Sequence, residues 1–445
     1  MPLQDDLLTR SLAAVWHPCT QMKQHEQFPL LAITHGLGPW LFDTEGKRYF
    51  DAISSWWVNL FGHANPRINA ALRDQLDQLE HVMLAGCTHE PVVQLSERLG
   101  ALTGGALGHC FYASDGASAT EIALKMSHHY WRNRGRATKK SFISLKGGYH
   151  GETLGALSVT DVPLFRDSYA PLLRDNFTVA SADARQAING ESPVDVARRV
   201  AADLEQLLEH EHNNIAALIV EPLVQCAGGF AMHDPEYLRL VRGLCDQHDV
   251  HLIFDEIAVG CGRTGTFFAH EQAALNGKII RPDFLCLSKG ISGGYLPLSI
   301  VMSSDDVYQA FYDDSTARGF LHSHSYSGNP LACRAALAVL DIFAQDDVIK
   351  ANRKRAAFLT AQLQPLRTHS RVRHFRQCGM IWAFDAVDVA PDFPRRFAIA
   401  AQERELLLRP IDNTVYLMPP YVIDDASAVW LAQNVIDTVN EVLGA

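Results

Sequence analysis

The sequence lacks several features that would assign it to a class of protein at once. None of its nine cysteines forms a CxxC pair, and their odd number, scattered from Cys19 to Cys378, argues against a disulfide framework or a thiolate zinc site. No stretch approaches the ~20 apolar residues of a membrane-spanning helix. Residues 1–6 lack the basic and apolar regions of a secretion signal. We therefore expect a reduced protein of the cytoplasm.

Positive charge is also scarce. The chain has 39 Lys and Arg against 50 Asp and Glu, a net charge of −11, and would repel nucleic acids and anionic membrane surfaces. We therefore expect neither as a partner. The chain has 20 histidines, but the close pairs at 128–129, 210–212 and 322–324 have no matching ligand set at a recognised spacing. We predict no metal site.

The chain is long enough for two domains, because 445 residues, 47% of them hydrophobic, exceed what one core usually holds. Between about residues 109 and 290, short apolar runs alternate with Gly-rich or acidic turns and segments of helical periodicity, which indicates βαβ units. The runs lie at residues 109–113, 142–145, 215–220, 251–254 and 284–287. We predict an α/β fold with a mostly parallel central sheet in a large domain.

Both ends of the chain have a different pattern. After about residue 335 comes a helical pattern through Leu337, Leu340 and Phe343. Strand-like runs at 381–384 and 415–418 and a closing helix near 429–439 follow it. This mixture predicts a smaller α+β domain formed by residues 1–60 and 335–445, and leaves residues 61–334 for the large domain.

Polar turns follow the five apolar runs. Ligands of open α/β sheets bind at the carboxyl ends of the strands, so one site could collect all these turns. Any one turn alone is more simply an ordinary solvated turn, but five together favour a site. The turns are residues 114–116, 147–151, 221–222, 255–256 and 288–289.

Lys289 and Asp255 are the strongest candidates for chemistry. Lys289 ends an apolar strand, where burial lowers the pKa of an amine, and such a lysine can form a Schiff base with an aldehyde and move a proton. Asp255 closes the neighbouring run and needs a cationic partner, for which a pyridinium nitrogen is suitable. The alternatives are a solvated lysine and a carboxylate that caps a helix or binds a metal. Ile257 shares a side with Asp255, whereas Glu256 points away.

The turn at residues 114–121 leads into a helical pattern. The amides of Gly116 and Ala117 would therefore lie at a helix N-terminus, which suits a phosphate ester. The turn is neither a P-loop nor the glycine pattern of a dinucleotide site. This weighs against a nucleotide-dependent oxidoreductase, the alternative from another enzyme class. A cofactor-binding regulator without turnover is a further alternative.

Six motifs together resemble those of the class III pyridoxal-phosphate-dependent aminotransferases. The likeness covers essentially the whole chain, and it implies fold type I and pyridoxal 5′-phosphate as the cofactor. It also implies that Lys289 carries the cofactor and that Asp255 binds its pyridine nitrogen, with Tyr149 stacked on the ring opposite Ile257. The motifs are residues 148–151, 221–222, 254–265, 282–284, 288–290 and 325–330.

The resemblance implies further contacts to the cofactor. Gly116 and Ala117 would hold the phosphate, and Glu221 would lie near the cofactor. His324 and Ser325 would reach the phosphate from a second subunit, which would make the active unit a homodimer. Ala117 stands where the family often has a serine, so a side-chain contact to the phosphate is missing there.

Three segments favour one branch of the family. They resemble the branch that transfers an amino group from S-adenosylmethionine to 8-amino-7-oxononanoate in biotin biosynthesis, in a ping-pong reaction that yields 7,8-diaminononanoate. Lysine as the amino donor and an ω-amino acid or polyamine transaminase are the alternatives within the family. The segments are Trp16-His17-Pro18, Ser54–Trp57, and Arg409-Pro410 with Tyr416–Tyr421.

An aliphatic substrate that ends in a carboxylate needs an apolar wall and a distant cation. Trp56 and Trp57 could form the wall, and Arg409 could bind the carboxylate through two hydrogen bonds. Core packing and a surface ion pair are the alternatives for these residues. Cys19 stands where the branch often has a tyrosine, and a thiol is a weaker donor. The full set of substrate candidates is Cys19, Trp56, Trp57, Tyr149, Arg263, Lys289, Ser323, Arg409 and Tyr416.

Overall fold

A computed structural model describes residues 3–275 and 277–444, which form two compact units. The first unit consists of residues 1–66 and 353–445, and the second of residues 67–352. The helix Pro330–Gln345 belongs to the second unit, where it packs on the helix Glu90–Leu102 and its Asp341 pairs with Arg98 at 2.7 Å. The divisions predicted after residues 60 and 334 therefore lie too early in the chain.

A seven-stranded sheet forms the centre of the second unit. All its strands run parallel except Ser299–Ser303, which is antiparallel to both of its neighbours. The α/β class and the mostly parallel sheet are thus confirmed, and each of the five predicted runs is a strand. The order is His109–Ala113, Ser299–Ser303, Phe284–Leu287, His251–Asp255, Ile215–Val220, Ser141–Leu145 and Phe177–Val179.

Burial explains why these runs form central strands. Every residue of Ile215–Val220, His251–Asp255 and Phe284–Leu287 is buried, as expected of strands that helices cover. The helix Gly116–Asn133 packs on the sheet through an apolar stripe that includes Ile122. Burying one large apolar side chain contributes roughly 1.5–3 kcal/mol. The stripe therefore holds the start of this helix firmly against the sheet.

The helices of this part of the chain begin at clear capping signals. Ser192 and Asp195 form a capping box before the helix that starts at Pro193, and Asp234 caps the helix that starts at Pro235. The α-helices are Pro66–Leu76, Glu90–Leu102, Gly116–Asn133, Leu154–Ser158, Pro163–Arg166, Pro193–Glu211, Pro235–His248, Asp305–Gln309 and Pro330–Gln345.

The first unit contains two smaller sheets. One has the order Ile33–Leu37, Trp40–Asp43, Arg48–Asp51, Leu406–Leu407, and the other is antiparallel, with the order Val372–Cys378, Ile381–Ala386, Thr414–Leu417. Its helices are Leu3–Ala14, Pro365–Thr368, Phe393–Glu403 and Asp425–Leu443, and the helix Val348–Gln362 contains the unit boundary. In the described part of the chain, no helix combines the length and apolar character needed to cross a membrane.

Candidate active site

Three neighbouring parallel strands of the second unit end at the same edge of the sheet. His251–Asp255 lies between Phe284–Leu287 and Ile215–Val220, and pairs in parallel with both. The residues that follow these strands are therefore brought together. The carboxyl groups of Asp255 and Glu221 are close enough to Lys289 to raise the pKa of its amine.

Asp255 is almost completely buried, and two groups donate hydrogen bonds to its carboxylate. The backbone N–H of Ile257 donates to Oδ1 at 3.0 Å, and Nδ1 of the buried His150 lies 2.7 Å from Oδ2. An ionised carboxylate can only accept, so Nδ1 of His150 carries the hydrogen. His150 was expected only as part of a motif, and its contact with Asp255 was not predicted. The signal was its position in the turn at residues 147–151.

Lys289 begins the tight turn Lys289–Ser292 and has a φ of 48°. A non-glycine residue in this region costs on the order of 1–3 kcal/mol and is typical of functional sites. Burial lowers the pKa of the amine, and Asp255, Cys226 and Glu221 oppose part of that effect. The lowered pKa agrees with the sequence prediction. It leaves more of the amine in the neutral, nucleophilic form at a given pH.

Glu221 connects two loops at this edge of the sheet. Its Oε2 accepts the backbone N–H of Tyr149 at 3.0 Å, and its Oε1 accepts the backbone N–H of Cys226 at 3.1 Å. The pKa of Glu221 is raised to about 7. Burial is the main cause, the charge of His150 opposes it, and the charge of Asp255 adds to it. Glu221 therefore fixes the backbone from which the Tyr149 ring extends.

The hydroxyl of Tyr149 donates to Oε1 of Glu152 at 2.8 Å, and its ring packs edge-on against Phe165 at 5.4 Å between centroids. Ile257 is buried and lies against Gly116, the first residue of the helix Gly116–Asn133. A Cβ on Gly116 would lie only 2.9 Å from Cγ2 of Ile257, so this position requires glycine. The close approach brings the start of the helix beside Ile257.

The helix Gly116–Asn133 begins with unpaired amides. Asp115 caps it by accepting the backbone N–H of Ser118 at 2.9 Å. Gly116 and Ala117 lie before Ser118 in the first turn, where a helix supplies no acceptor for the N–H groups. This end of the helix can bind an anion such as a phosphate ester.

The loop at residues 323–325 has Ser323 and Ser325 exposed and His324 partly buried. Nε2 of His324 lies 3.1 Å from Nε2 of His322, and Nδ1 of His322 lies 2.8 Å from Nζ of Lys125. The loop therefore presents basic groups at the surface of this chain.

Arg263 is buried in the segment that follows Asp255. Burial raises the pKa of the Cys226 thiol well above its usual value, and the positive charge of Arg263 lowers it in part. A role of Arg263 in substrate binding stays a prediction.

The other substrate candidates form a cluster in the first unit. The Arg409 guanidinium lies 5.0 Å from the centre of the Trp56 ring and donates to the backbone carbonyl of Cys19 at 2.7 Å. The Trp57 ring lies edge-on to that of Tyr416 at 6.2 Å. The thiol of Cys19 was the expected contact group, whereas the contact with Arg409 uses the backbone carbonyl of Cys19. Trp56 is 43% exposed and Trp57 is buried.

The second-unit cluster fits a phosphorylated pyridine aldehyde. Lys289 could supply the amine for the aldehyde carbon, Asp255 could accept a hydrogen bond from a protonated ring nitrogen, and the amides of Gly116 and Ala117 could bind the phosphate. Within the described ranges, no group of three or more His, Cys, Asp or Glu side chains could hold a metal ion.

Comparisons with known proteins agree with this geometry. The family model described as aminotransferase class-III matches residues 20–439. A Helicobacter pylori protein named adenosylmethionine-8-amino-7-oxononanoate aminotransferase is 44% identical over 99% of both chains. The solved structure of the Methanocaldococcus jannaschii protein of that name has a TM-score of 0.92, 32% identity, and covers 98% of this chain and 99% of its own. A PLP-bound amine transaminase from an uncultivated Pseudomonas species has a TM-score of 0.90 and 31% identity, covering 96% and 98%.

Replacing Glu221 with Gln should remove part of the pH dependence of stability. The pKa of Glu221 is raised from 4.5 to about 7, so the folded protein keeps a proton that the unfolded chain releases. Stability is therefore present below pH ~4.5 and is lost as the pH rises towards ~7, by up to about 3 kcal/mol. We expect the difference in the free energy of unfolding between pH 5 and pH 8, measured in urea without ligand, to shrink by about 2–3 kcal/mol in the variant.

The exposed Glu97 provides a matched control, and Glu97→Gln should leave that difference unchanged. An equal pH dependence in wild type and Glu221→Gln would contradict the role of burial at this carboxyl.

Proposed function

Because the chain belongs to the class III aminotransferase family, we propose that it transfers an amino group from S-adenosylmethionine to 8-amino-7-oxononanoate, which gives 7,8-diaminononanoate for biotin biosynthesis. The proposal rests on relatives of that name that match nearly the whole chain, at 44% identity for one and 37% for another. The family and the PLP-bound neighbour indicate pyridoxal 5′-phosphate as the cofactor. Family membership removes the oxidoreductase alternative.

When bound, pyridoxal phosphate supplies the electron sink for the bond broken at the amine-bearing carbon and carries the amino group between the two half-reactions. The single observation that supports this chemistry best is the buried Asp255 carboxylate at the end of a strand that pairs in parallel with the strand before Lys289. Asp255 would keep a proton on the pyridine nitrogen, since an ionised buried carboxylate needs a cationic partner. His150 holds that carboxylate in place.

Lys289 would hold the cofactor through its side-chain amine and would then serve as the proton carrier. Because burial lowers its pKa, the neutral amine could take the proton from Cα of the substrate and later give it back. Tyr149 and Ile257 would pack against the ring, and the amides of Gly116 and Ala117 would bind the phosphate. These positions keep the reacting atoms aligned through both half-reactions.

The first-unit cluster supports the choice of acceptor. The Trp56 ring can pack against an aliphatic chain, and the Arg409 guanidinium beside it can bind a carboxylate at the end of that chain. The hydrogen bond to the Cys19 carbonyl uses Nη2 of the Arg409 guanidinium and restrains its direction. We assign the carboxylate of 8-amino-7-oxononanoate to Arg409.

We further propose that the active form is a cytoplasmic homodimer, in which His324 and Ser325 of one subunit contact the phosphate bound by the other. Exposed apolar side chains next to this loop support an interface there, because large apolar groups are seldom left open to water in clusters. Leu321 is 81% exposed and Tyr326 is 64% exposed in the single chain.

The likeness to an amine transaminase favours a second candidate function, the transamination of ω-amino acids or polyamines. A third candidate keeps the acceptor and uses lysine as the donor. All three share the chemistry of Lys289 and Asp255, so only the substrates separate them.

A donor screen of the holoenzyme tests the proposed function. We expect S-adenosylmethionine to convert the bound cofactor to its amino form, seen as loss of the visible absorption band, whereas ornithine and γ-aminobutyrate leave the band unchanged. Addition of 8-amino-7-oxononanoate should then restore the band and yield 7,8-diaminononanoate by mass spectrometry. Conversion by lysine alone, or by ornithine or γ-aminobutyrate, would favour one of the other candidates.

Replacing His150 with Leu should weaken cofactor binding. The variant removes the hydrogen bond to the buried Asp255, and we expect the Kd for pyridoxal phosphate to rise on the order of tenfold or more. His150→Asn keeps an N–H close to the position of Nδ1 and should stay within a few-fold of wild type. Titration of the cofactor-free protein measures both values, and wild-type affinity in His150→Leu would contradict the role of His150.

A further inference from the structure

The segment Ser54–Trp57 forms one left-handed helical turn. The φ angles of its four residues are 51°, 45°, 72° and 73°. The ψ angles of Ser55 and Trp56 are 53° and 46°, close to the ideal left-handed helix. None of the four is glycine, and the region is disfavoured for every residue that carries a Cβ. Such a run persists only where its surroundings hold it.

Asp51 makes the central polar contact to this turn. Its side chain is fully buried, at the end of the strand Arg48–Asp51. Oδ1 accepts the backbone N–H of Ser55 at 2.8 Å, and Oδ2 accepts the Ser55 hydroxyl at 2.7 Å. Both bonds go to one residue, and bonds to an ionised acceptor are stronger than neutral ones. Asp51 therefore fixes the backbone direction at Ser55.

His63 holds Asp51 from the other side. Its Nδ1 lies 3.0 Å from Nδ2 of Asn59, which can only donate, so Nε2 of His63 carries the hydrogen and donates to Oδ2 of Asp51 at 3.0 Å. The backbone of His63 pairs with Gly38 in both directions, at 3.1 and 2.7 Å. The imidazole is therefore anchored at its backbone as well as at both ring nitrogens.

The turn determines where two adjacent indoles point. Trp56 extends outwards beside Arg409, while Trp57 is buried against Tyr416. The hydroxyl of Ser54 donates to the backbone carbonyl of Met418 at 2.7 Å, which ties the start of the turn to the chain after Tyr416. A change of backbone at Ser55 would redirect both indoles away from these partners.

We propose that Asp51, held by His63 and acting through Ser55, is a positioning residue that sets the direction of the Trp56 and Trp57 indoles and thereby the preference for a long aliphatic acceptor. The inference rests on the proposed function in one respect, namely that the indoles bind the acceptor chain. Asp51 itself does not touch the reacting atoms.

The variant Asp51→Asn tests this role in the holoenzyme. The asparagine side chain keeps the size of the aspartate, and its oxygen can still accept the Ser55 N–H. It loses the negative charge, and its NH2 group faces the N–H of His63. We expect the KM for 8-amino-7-oxononanoate to rise about tenfold while kcat stays within about twofold. Asp195→Asn is the matched control, because Asp195 also accepts the N–H and hydroxyl of one serine, Ser192, and should leave both constants unchanged.

A series of straight-chain aldehydes, from butanal to octanal, provides an arm that does not depend on the natural acceptor. Reacted with the amino form of the holoenzyme, wild type should gain roughly threefold to fourfold in kcat/KM for each added methylene, in keeping with apolar burial. Asp51→Asn should flatten this gain. A merely structural role would lower the rate equally at every chain length.

The outcomes separate the two proposals. If wild type rejects 8-amino-7-oxononanoate but its kcat/KM still rises with the length of the aldehyde, the proposed acceptor is wrong. The rise of kcat/KM with aldehyde length in Asp51→Asn then still decides the role of Asp51. An unchanged gain in that variant, an equal loss at all chain lengths, or no gain in wild type would overturn the inference.

Discussion

The structure of the site depends on one buried carboxylate. Asp255 ends the middle strand of three that are buried throughout, where an ionised oxygen is stable only with hydrogen bonds and a cationic partner. His150 and the amide of Ile257 supply the hydrogen bonds. A protonated ring nitrogen would be a suitable cationic partner, and the parallel pairing of the neighbouring strand brings Lys289 to the same edge of the sheet.

Buried parallel strands were predictable because their composition is distinctive. Ile215–Val220 is apolar at every position and is followed by Glu221. The strand, the polar turn after it and the edge of the sheet on which that turn lies could therefore be predicted together. Phe177–Val179 was missed because it is short and only partly buried, and Ser299–Ser303 because its antiparallel pairing has no βαβ signal. The expected boundary after residue 334 differs from the division after residue 352, because a helical pattern does not reveal which unit it packs on.

The candidate residues of the site could be proposed from their chemistry, whereas the contacts between them could not. Lys289, Asp255 and Glu221 follow neighbouring strands, and sequence order was enough to bring them together. The partner of Asp255 could not be predicted in the same way, because His150 reaches it from a separate loop. The left-handed turn at Ser54–Trp57 was also beyond prediction, since nothing in a Ser-Ser-Trp-Trp sequence favours positive φ.

Reductive trapping tests the central claim most directly. Borohydride treatment of the holoenzyme followed by peptide mass mapping should find the cofactor on Lys289 and not on Lys139, a fully buried lysine whose amine donates to the carbonyls of His212 and Ile215. Lys289→Ala should fold, lose the covalent label and lose amino transfer. A label on another lysine of wild type, or undiminished amino transfer in Lys289→Ala, would contradict the account.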